Sequence, residues 1–170
     1  MRPSIPQDYF KQISAQSERD YPNETCGILT GPREDKLRIT AIFPCRNVQD
    51  EYHTQDPVSF PRNARTAYFI DPKELLRIQK AAREKNCEMR VIYHSHTDTG
   101  AYFSEEDQRM ALSDGEPTYP SVSYLVVSVK EGRARELSLF EWDGQSRSFR
   151  GQSIDLALPE SAKGKGGSCR

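Results

Sequence analysis

Read from the N-terminus, the stretch Pro6 to Arg19 (PQDYFKQISAQSER) places Tyr9, Phe10 and Ile13 at helical spacing behind a proline tolerated in a first turn, which predicts a short amphipathic helix. Asp20 to Asn23 breaks it. ETCGILTG is apolar and closes on Gly31-Pro32, and LRITAIFPC alternates apolar with polar residues before Pro44, so the two segments predict a hairpin-like strand pair. From Arg46 to Tyr68 the pattern turns polar, with Pro57 and Pro61 and little periodicity, which fits either a surface binding loop or a concealed strand. Asp71-Pro72-Lys73-Glu74 supplies a helix cap, a first-turn proline and an early acid. Leu75, Leu76, Ile78 and Gln79 carry that helix on to about Lys85.

MRVIYHSH then reads as a buried strand in which Tyr93 marks the end of burial, and SEEDQRMAL as a helix capped by Ser104. SVSYLVVSV is rich in β-branched residues and calls for burial on both faces. RELSLFEW and RSFRGQSIDLAL flank Asp143-Gly144, a hairpin turn signal. Strands and helices that alternate first and end in a run of strands predict one α/β domain over residues 1–158. The remainder, 159–170 (PESAKGKGGSCR), is small, polar and basic, and predicts a flexible tail.

Composition narrows the function classes. A chain of 170 residues buries one sizeable core. With 24 basic residues against 25 acidic ones, no basic face is available for phosphate backbones, and nucleic acid is not an expected partner. The start MRPSIPQDYF lacks an apolar leader and no run approaches a membrane span, so a cytoplasmic protein with no membrane partner is expected. Cys26, Cys45, Cys87 and Cys169 form no C-x-x-C pair, and each reads as a small core residue or an exposed thiol.

The chemistry-bearing stretch is VIYHSHTDTGAYFSEEDQ. Residues two apart on a strand share a face, so His94 and His96 can present two imidazoles to one point. A loop through Thr97–Phe103 can return the chain, and Asp107 in the first turn of the next helix can project back toward that point. The result is a His, His, Asp set suited to zinc with a fourth position open. Each fragment alone has a structural reading, as polar residues at a strand end or as a Ser-x-x-Asp cap. Combined, they favour a metal site. The rival H-x-H-x-D-H pattern fits HSHTD and fails at Thr99, and His53 is the one other histidine. Zinc-deaminase and H-E-x-x-H signatures are absent. A hydrolytic site also needs a general base; Glu24, opening the first strand, is the candidate, although spacing alone leaves it equally a solvated acid.

Glu24 followed by CGILTG, then H-S-H, seven residues, Ser104, two residues and Asp107, resembles the JAMM motif of the MPN-domain metallopeptidases, E…H-x-H-x(7)-S-x-x-D. The resemblance covers about Ile5 to Trp142. It implies a curved mixed β-sheet flanked by helices, cytidine-deaminase-like, with His94, His96 and Asp107 binding Zn2+, Glu24 as acid/base and Ser104 as an oxyanion donor. It implies cleavage after the C-terminal Gly-Gly of ubiquitin or a ubiquitin-like sulfur carrier protein. The short span between Asp107 and Val122, most of it needed by a helix, resembles the minimal bacterial peptidases that release cysteine or a short extension from such a carrier. A general isopeptidase resembling deubiquitinases and a non-catalytic MPN scaffold are the alternatives; retention of all five motif positions speaks against the scaffold. Members often pair, so a homodimer is compatible.

Many relatives carry proline soon after H-x-H, where this chain has Thr97-Asp98-Thr99-Gly100. Asp98 reads as a turn residue in preference to a hydrogen-bond partner of a histidine. Phe103 should pack, and Tyr102 stays open between cleft and packing. An incoming Gly-Gly tail is expected to add as a strand along an edge near Asn47–Phe60 or beside Met89–His94. The chain's own ending, GKGGSCR, imitates such a tail, although glycine-rich termini are commonly plain flexible ends.

Overall fold

A computed structural model describes residues 2–154. The expected tail 159–170, with Cys169, and the last residues of the final expected strand lie outside them. Helix α1 (Gln7–Asp20) leads into β1 (Cys26–Pro32) and β2 (Ala41–Cys45), followed by α2 (Gln49–Gln55), α3 (Pro72–Glu84) and β3 (Cys87–Thr97). Then come α4 (Glu105–Ala111), the two-residue strands β4 (Leu112–Ser113) and β5 (Glu116–Pro117), and β6 (Ser123–Lys130), β7 (Arg133–Asp143) and β8 (Ser148–Ile154). The main sheet runs β2-β1-β3-β6-β7-β8. Only β3 and β6 pair in parallel; the other neighbours are antiparallel. This is the mixed α/β sheet with flanking helices that the sequence predicts.

Strand alternation divides the core into two layers. On one face Leu29, Val91, Tyr93, Leu125 and Val127 pack with Ile13 of α1. On the other, Ile28, Ile92, Tyr124 and Val126 pack with Ile78 of α3 and Ala111 of α4. β6 is buried along all but its last residue, because helices cover both sides of the sheet. Polar residues contribute too: Gln16 of α1 accepts from the Tyr93 hydroxyl at 2.7 Å and donates to the Cys26 carbonyl at 3.0 Å, locking α1 onto β1 and β3.

Helix α3 begins as its sequence dictates, with Asp71 accepting from the Lys73 backbone N–H at 2.9 Å and Pro72 at the start. Several expectations are corrected. The Arg46–Tyr68 stretch holds α2, a helix without apolar periodicity in which only Gln49 is buried. Nonlocal contacts hold it: Tyr52, Phe60 and Phe69 cluster with ring centroids 4.7 to 5.2 Å apart, and Asp50 accepts from the Ala64 N–H at 2.7 Å. Burial does not end at Tyr93, since His94, Ser95 and His96 are buried as well, β3 being central in the sheet. α4 stops at Ala111, and the β4–β5 hairpin occupies chain expected to be helical. The β7–β8 hairpin forms, with 144–147 as its connection, in place of a two-residue turn. Neither predicted docking edge is an edge: Val91–His94 is paired on both sides, and 47–60 is largely helix and loop. Among the described residues the edge strands of the main sheet are β2 and β8.

Candidate active site

Two rows of alternating side chains lead into the site. On β3, His94 and His96 continue the face of Ile92; on β1, Glu24 precedes Cys26 and Ile28 of the same layer. Cys26 lies opposite His94, and the ladder runs on through Ser95 N–H donating to the Thr25 carbonyl at 3.1 Å, so Glu24 falls opposite His96. The Thr25 N–H donates to the Ser95 hydroxyl at 2.8 Å, clamping the two strand ends together. Glu24 is fixed from the other side as well: its N–H donates to the Ala64 carbonyl at 2.7 Å, and its carbonyl accepts from Asn47 Nδ2 at 2.9 Å.

Asp107 arrives from α4 through a reciprocal cap. The Ser104 hydroxyl accepts from the Asp107 N–H at 3.1 Å, and Asp107 Oδ2 accepts from the Ser104 N–H at 2.8 Å. The cap thus aims the same carboxylate at the histidines. His94 Nε2 lies 3.1 Å from Asp107 Oδ1, His96 Nε2 lies 3.2 Å from Asp107 Oδ2, and the two Nε2 atoms are 3.2 Å apart. All three residues are buried, and one donor atom from each falls within 4.8 Å of the others. His96 Nδ1 sits 3.1 Å from the Gly100 carbonyl oxygen, which can only accept, so Nδ1 carries the proton and Nε2 offers its lone pair inward. Tyr68 stacks on His94 with ring centroids 4.4 Å apart, and Tyr102 meets His96 edge-on at 4.9 Å while 53% exposed.

The donor set fits zinc. Zinc–nitrogen bonds of about 2.0–2.1 Å in a tetrahedron place neighbouring donors about 3.3 Å apart; the two Nε2 atoms lie 3.2 Å apart, and each faces its own oxygen of the Asp107 carboxylate. The electrostatics suit a cation. Burial pushes the Asp107 carboxyl upward, but the facing His94 and His96 more than reverse this and hold it well below the usual carboxylate range. Burial drives His94 toward its neutral, ligating form despite the pull of Asp107. Glu24 goes the other way: burial, reinforced by the charge of Asp107, raises its pKa well above the ordinary value, with Arg62 opposing. Glu24 Oε2 is buried without a hydrogen-bond partner among the described residues. A carboxylate so placed is costly unless a cation or a proton-bearing ligand meets it.

The structure therefore brings His94, His96, Asp107 and Ser104 together as the sequence predicts, and places Glu24 at the adjoining strand end. Asp98 is a turn residue: at φ 56° it accepts from the Tyr21 hydroxyl and the Glu131 N–H, each at 2.9 Å, and the proton on His96 goes to Gly100 instead. Phe103 packs among Tyr124, Phe140 and Phe149. The residues missed by the sequence are Tyr68, which stacks on His94, and the 62–67 segment behind Glu24. Neither has a local pattern that announces it.

Fold and site together define a JAMM-type hydrolase. The chain belongs to the family described as prokaryotic homologs of the JAB domain, which matches residues 6–141. It is 32% identical over 130 residues to the CysO-cysteine peptidase of Mycobacterium tuberculosis, covering 76% of this chain and 75% of that one. It is 30% identical over 135 residues to the desampylase of Haloferax volcanii, covering 79% of each. A protein of Desulfitobacterium hafniense solved in solution shares the fold, with a TM-score of 0.61, 24% identity and 92% of each chain covered. Among the described residues no helix is long and apolar enough to cross a membrane.

Proposed function

We propose that the protein is a zinc-dependent peptidase that hydrolyses the bond after the C-terminal Gly-Gly of a ubiquitin-like sulfur carrier, releasing cysteine or a short extension. The observation that carries this is the convergence of His94, His96 and Asp107 beside a buried, unpartnered Glu24 carboxylate oxygen. His94 and His96 through Nε2, and Asp107 through its carboxylate, would hold the metal. Zinc bound there supplies a Lewis acid for the scissile carbonyl and acidifies water near neutral pH.

The chain's own residues do the rest. Glu24, with its proton affinity raised by burial, takes the proton from the attacking water and hands it to the leaving amine. Its backbone is bonded on both sides, so the carboxylate is held in place between the two transfers. Ser104 uses its oxygen to accept from the Asp107 N–H, which leaves the hydroxyl proton free to stabilise the oxyanion. A glycine at each of the last two carrier positions lets the substrate backbone approach this buried site closely.

The Mycobacterium relative, named a CysO-cysteine peptidase, supports the release of cysteine. The Haloferax relative is named a desampylase, and a relative from Thermus thermophilus, 29% identical over 107 residues, is named a probable TtuB-protein conjugate cleaving protease. These names favour a second reading, a broader isopeptidase with the same site and a different leaving group. Metal content of the wild type and of His94→Ala, measured beside release of cysteine from a Gly-Gly-Cys-ended carrier, tests the proposal. A wild type that binds no zinc would sink it, as would a His94→Ala variant as active as the wild type.

A further inference from the structure

The proposed reaction has two kinds of leaving group. A carrier extended by one residue releases an amine two covalent bonds from a free α-carboxylate, whereas an isopeptide releases a lysine amine with no carboxylate beside it. Whichever leaves must sit next to Glu24, because the group that protonates an amine must lie within hydrogen-bond reach of it. A cation fixed on the Glu24 side would therefore read the carboxylate.

One segment carries exposed cations on that side. The 62–67 segment is tied to the site by its backbone: the Ala64 carbonyl accepts from the Glu24 N–H at 2.7 Å, and the Arg65 carbonyl accepts from the Thr97 hydroxyl at 2.7 Å, one residue beyond His96. Its start is pinned by Gln49, itself buried, whose side-chain amide donates to the Arg62 carbonyl at 2.7 Å. The Arg62 side chain is exposed and makes no ion pair among the described residues, while its charge is felt both by Glu24 and by Glu106 in the first turn of α4. The neighbouring Arg19, Arg46 and Arg109 are paired with Asp20, Glu51 and Glu106, whereas Arg65, which also makes no ion pair among the described residues, bears on Tyr21.

We propose that Arg62 binds the α-carboxylate of the leaving residue, so that the enzyme prefers carriers extended by a single C-terminal amino acid over amide-capped or isopeptide-linked forms. This rests on the proposed peptidase reading and refines its substrate class. An arginine–carboxylate contact at an exposed side chain is screened by solvent, so the discrimination is expected at about tenfold and not more than about a hundredfold.

The test compares kcat/KM of the zinc-loaded protein on two carriers, one ending Gly-Gly-Cys with a free carboxylate and the other capped as the carboxamide. The ratio within one preparation is blind to folded fraction and metal loading. Wild type is expected to favour the carboxylate about tenfold, mainly through KM. Arg62→Gln should bring the ratio to about one, while Arg65→Gln keeps it. Equal rates in the wild type, or a preference that survives Arg62→Gln, would overturn the inference and leave the peptidase reading standing. Cleavage of neither carrier by zinc-loaded protein would overturn both.

Discussion

A single added methyl group tests how closely the strand carrying Glu24 is packed against the strand carrying the histidines. Gly27 lies opposite Tyr93, and a Cβ built on it would fall 2.1 Å from the ring Cζ and hydroxyl oxygen and 2.5 Å from Cε1. Nonbonded carbons meet at about 3.5–4.0 Å, so the ring would have to retreat by about 1 Å or more. It has nowhere to go: Tyr93 is fully buried, and its hydroxyl is bonded to Gln16 at 2.7 Å. Overpacking costs about 1–3 kcal/mol and loss of the hydroxyl bond about 1 kcal/mol, offset by about 0.5 kcal/mol from the stiffer unfolded chain. Gly27→Ala is therefore expected to destabilise the protein by about 1.5–3.5 kcal/mol, lowering Tm by roughly 3–14 °C. Gly144, with nothing within 4 Å of its added Cβ, is the internal control, and Gly144→Ala should change stability by less than about 1 kcal/mol. Urea unfolding of the two variants with the metal chelated reads both values. Equal stability of Gly27→Ala and the wild type would refute the packing described between β1 and β3.

Three further outcomes are expected. Ser104→Ala removes the acceptor for the Asp107 N–H and should cost about 1 kcal/mol in urea unfolding, together with about 10²-fold or more in kcat at saturating zinc; an unchanged kcat would exclude Ser104 from the chemistry. Because the Glu24 pKa is raised in the fold, its stabilising contribution is present below the ordinary carboxylate range and is lost as pH rises through the raised value. Metal-free Glu24→Gln should accordingly be more stable than metal-free wild type at pH 7.5, by about 1–3 kcal/mol, and the gap should close in acid; a less stable variant at pH 7.5 would contradict the burial argument. Zinc at a hundred times its dissociation constant should stabilise the wild type by about 2.7 kcal/mol, roughly 5–11 °C in Tm, and a chelator should abolish the shift. His96→Ala should show no shift, and a shift retained in that variant would place the metal elsewhere.

Much of the site is legible in the sequence because its pieces obey local rules. His94 and His96 share a face through strand periodicity, and Ser104 with Asp107 is a cap signature whose acid also faces the histidines. α3 is announced by Asp71 and Pro72, and β6 by an apolar run that only a doubly covered strand can bury. What escapes is held by contacts between distant segments. α2 has no apolar stripe and depends on Tyr52 reaching Phe60 and Phe69. Strand order is equally nonlocal, which is why Met89–His94 reads as an available edge although β1 and β6 enclose Val91–His94. The contact of Tyr68 with His94 and the tie between Ala64 and Glu24 belong to the same class.

The central claim is that Glu24 is the proton carrier of a zinc peptidase, and one paired measurement reaches it most directly. Wild type and Glu24→Gln are assayed for bound zinc and for cysteine released from a Gly-Gly-Cys-ended carrier. Both should hold zinc, since the ligands are His94, His96 and Asp107, while kcat of the variant should fall by about 10²–10⁴-fold. A Glu24→Gln protein that holds zinc and releases cysteine at the wild-type rate would contradict the claim.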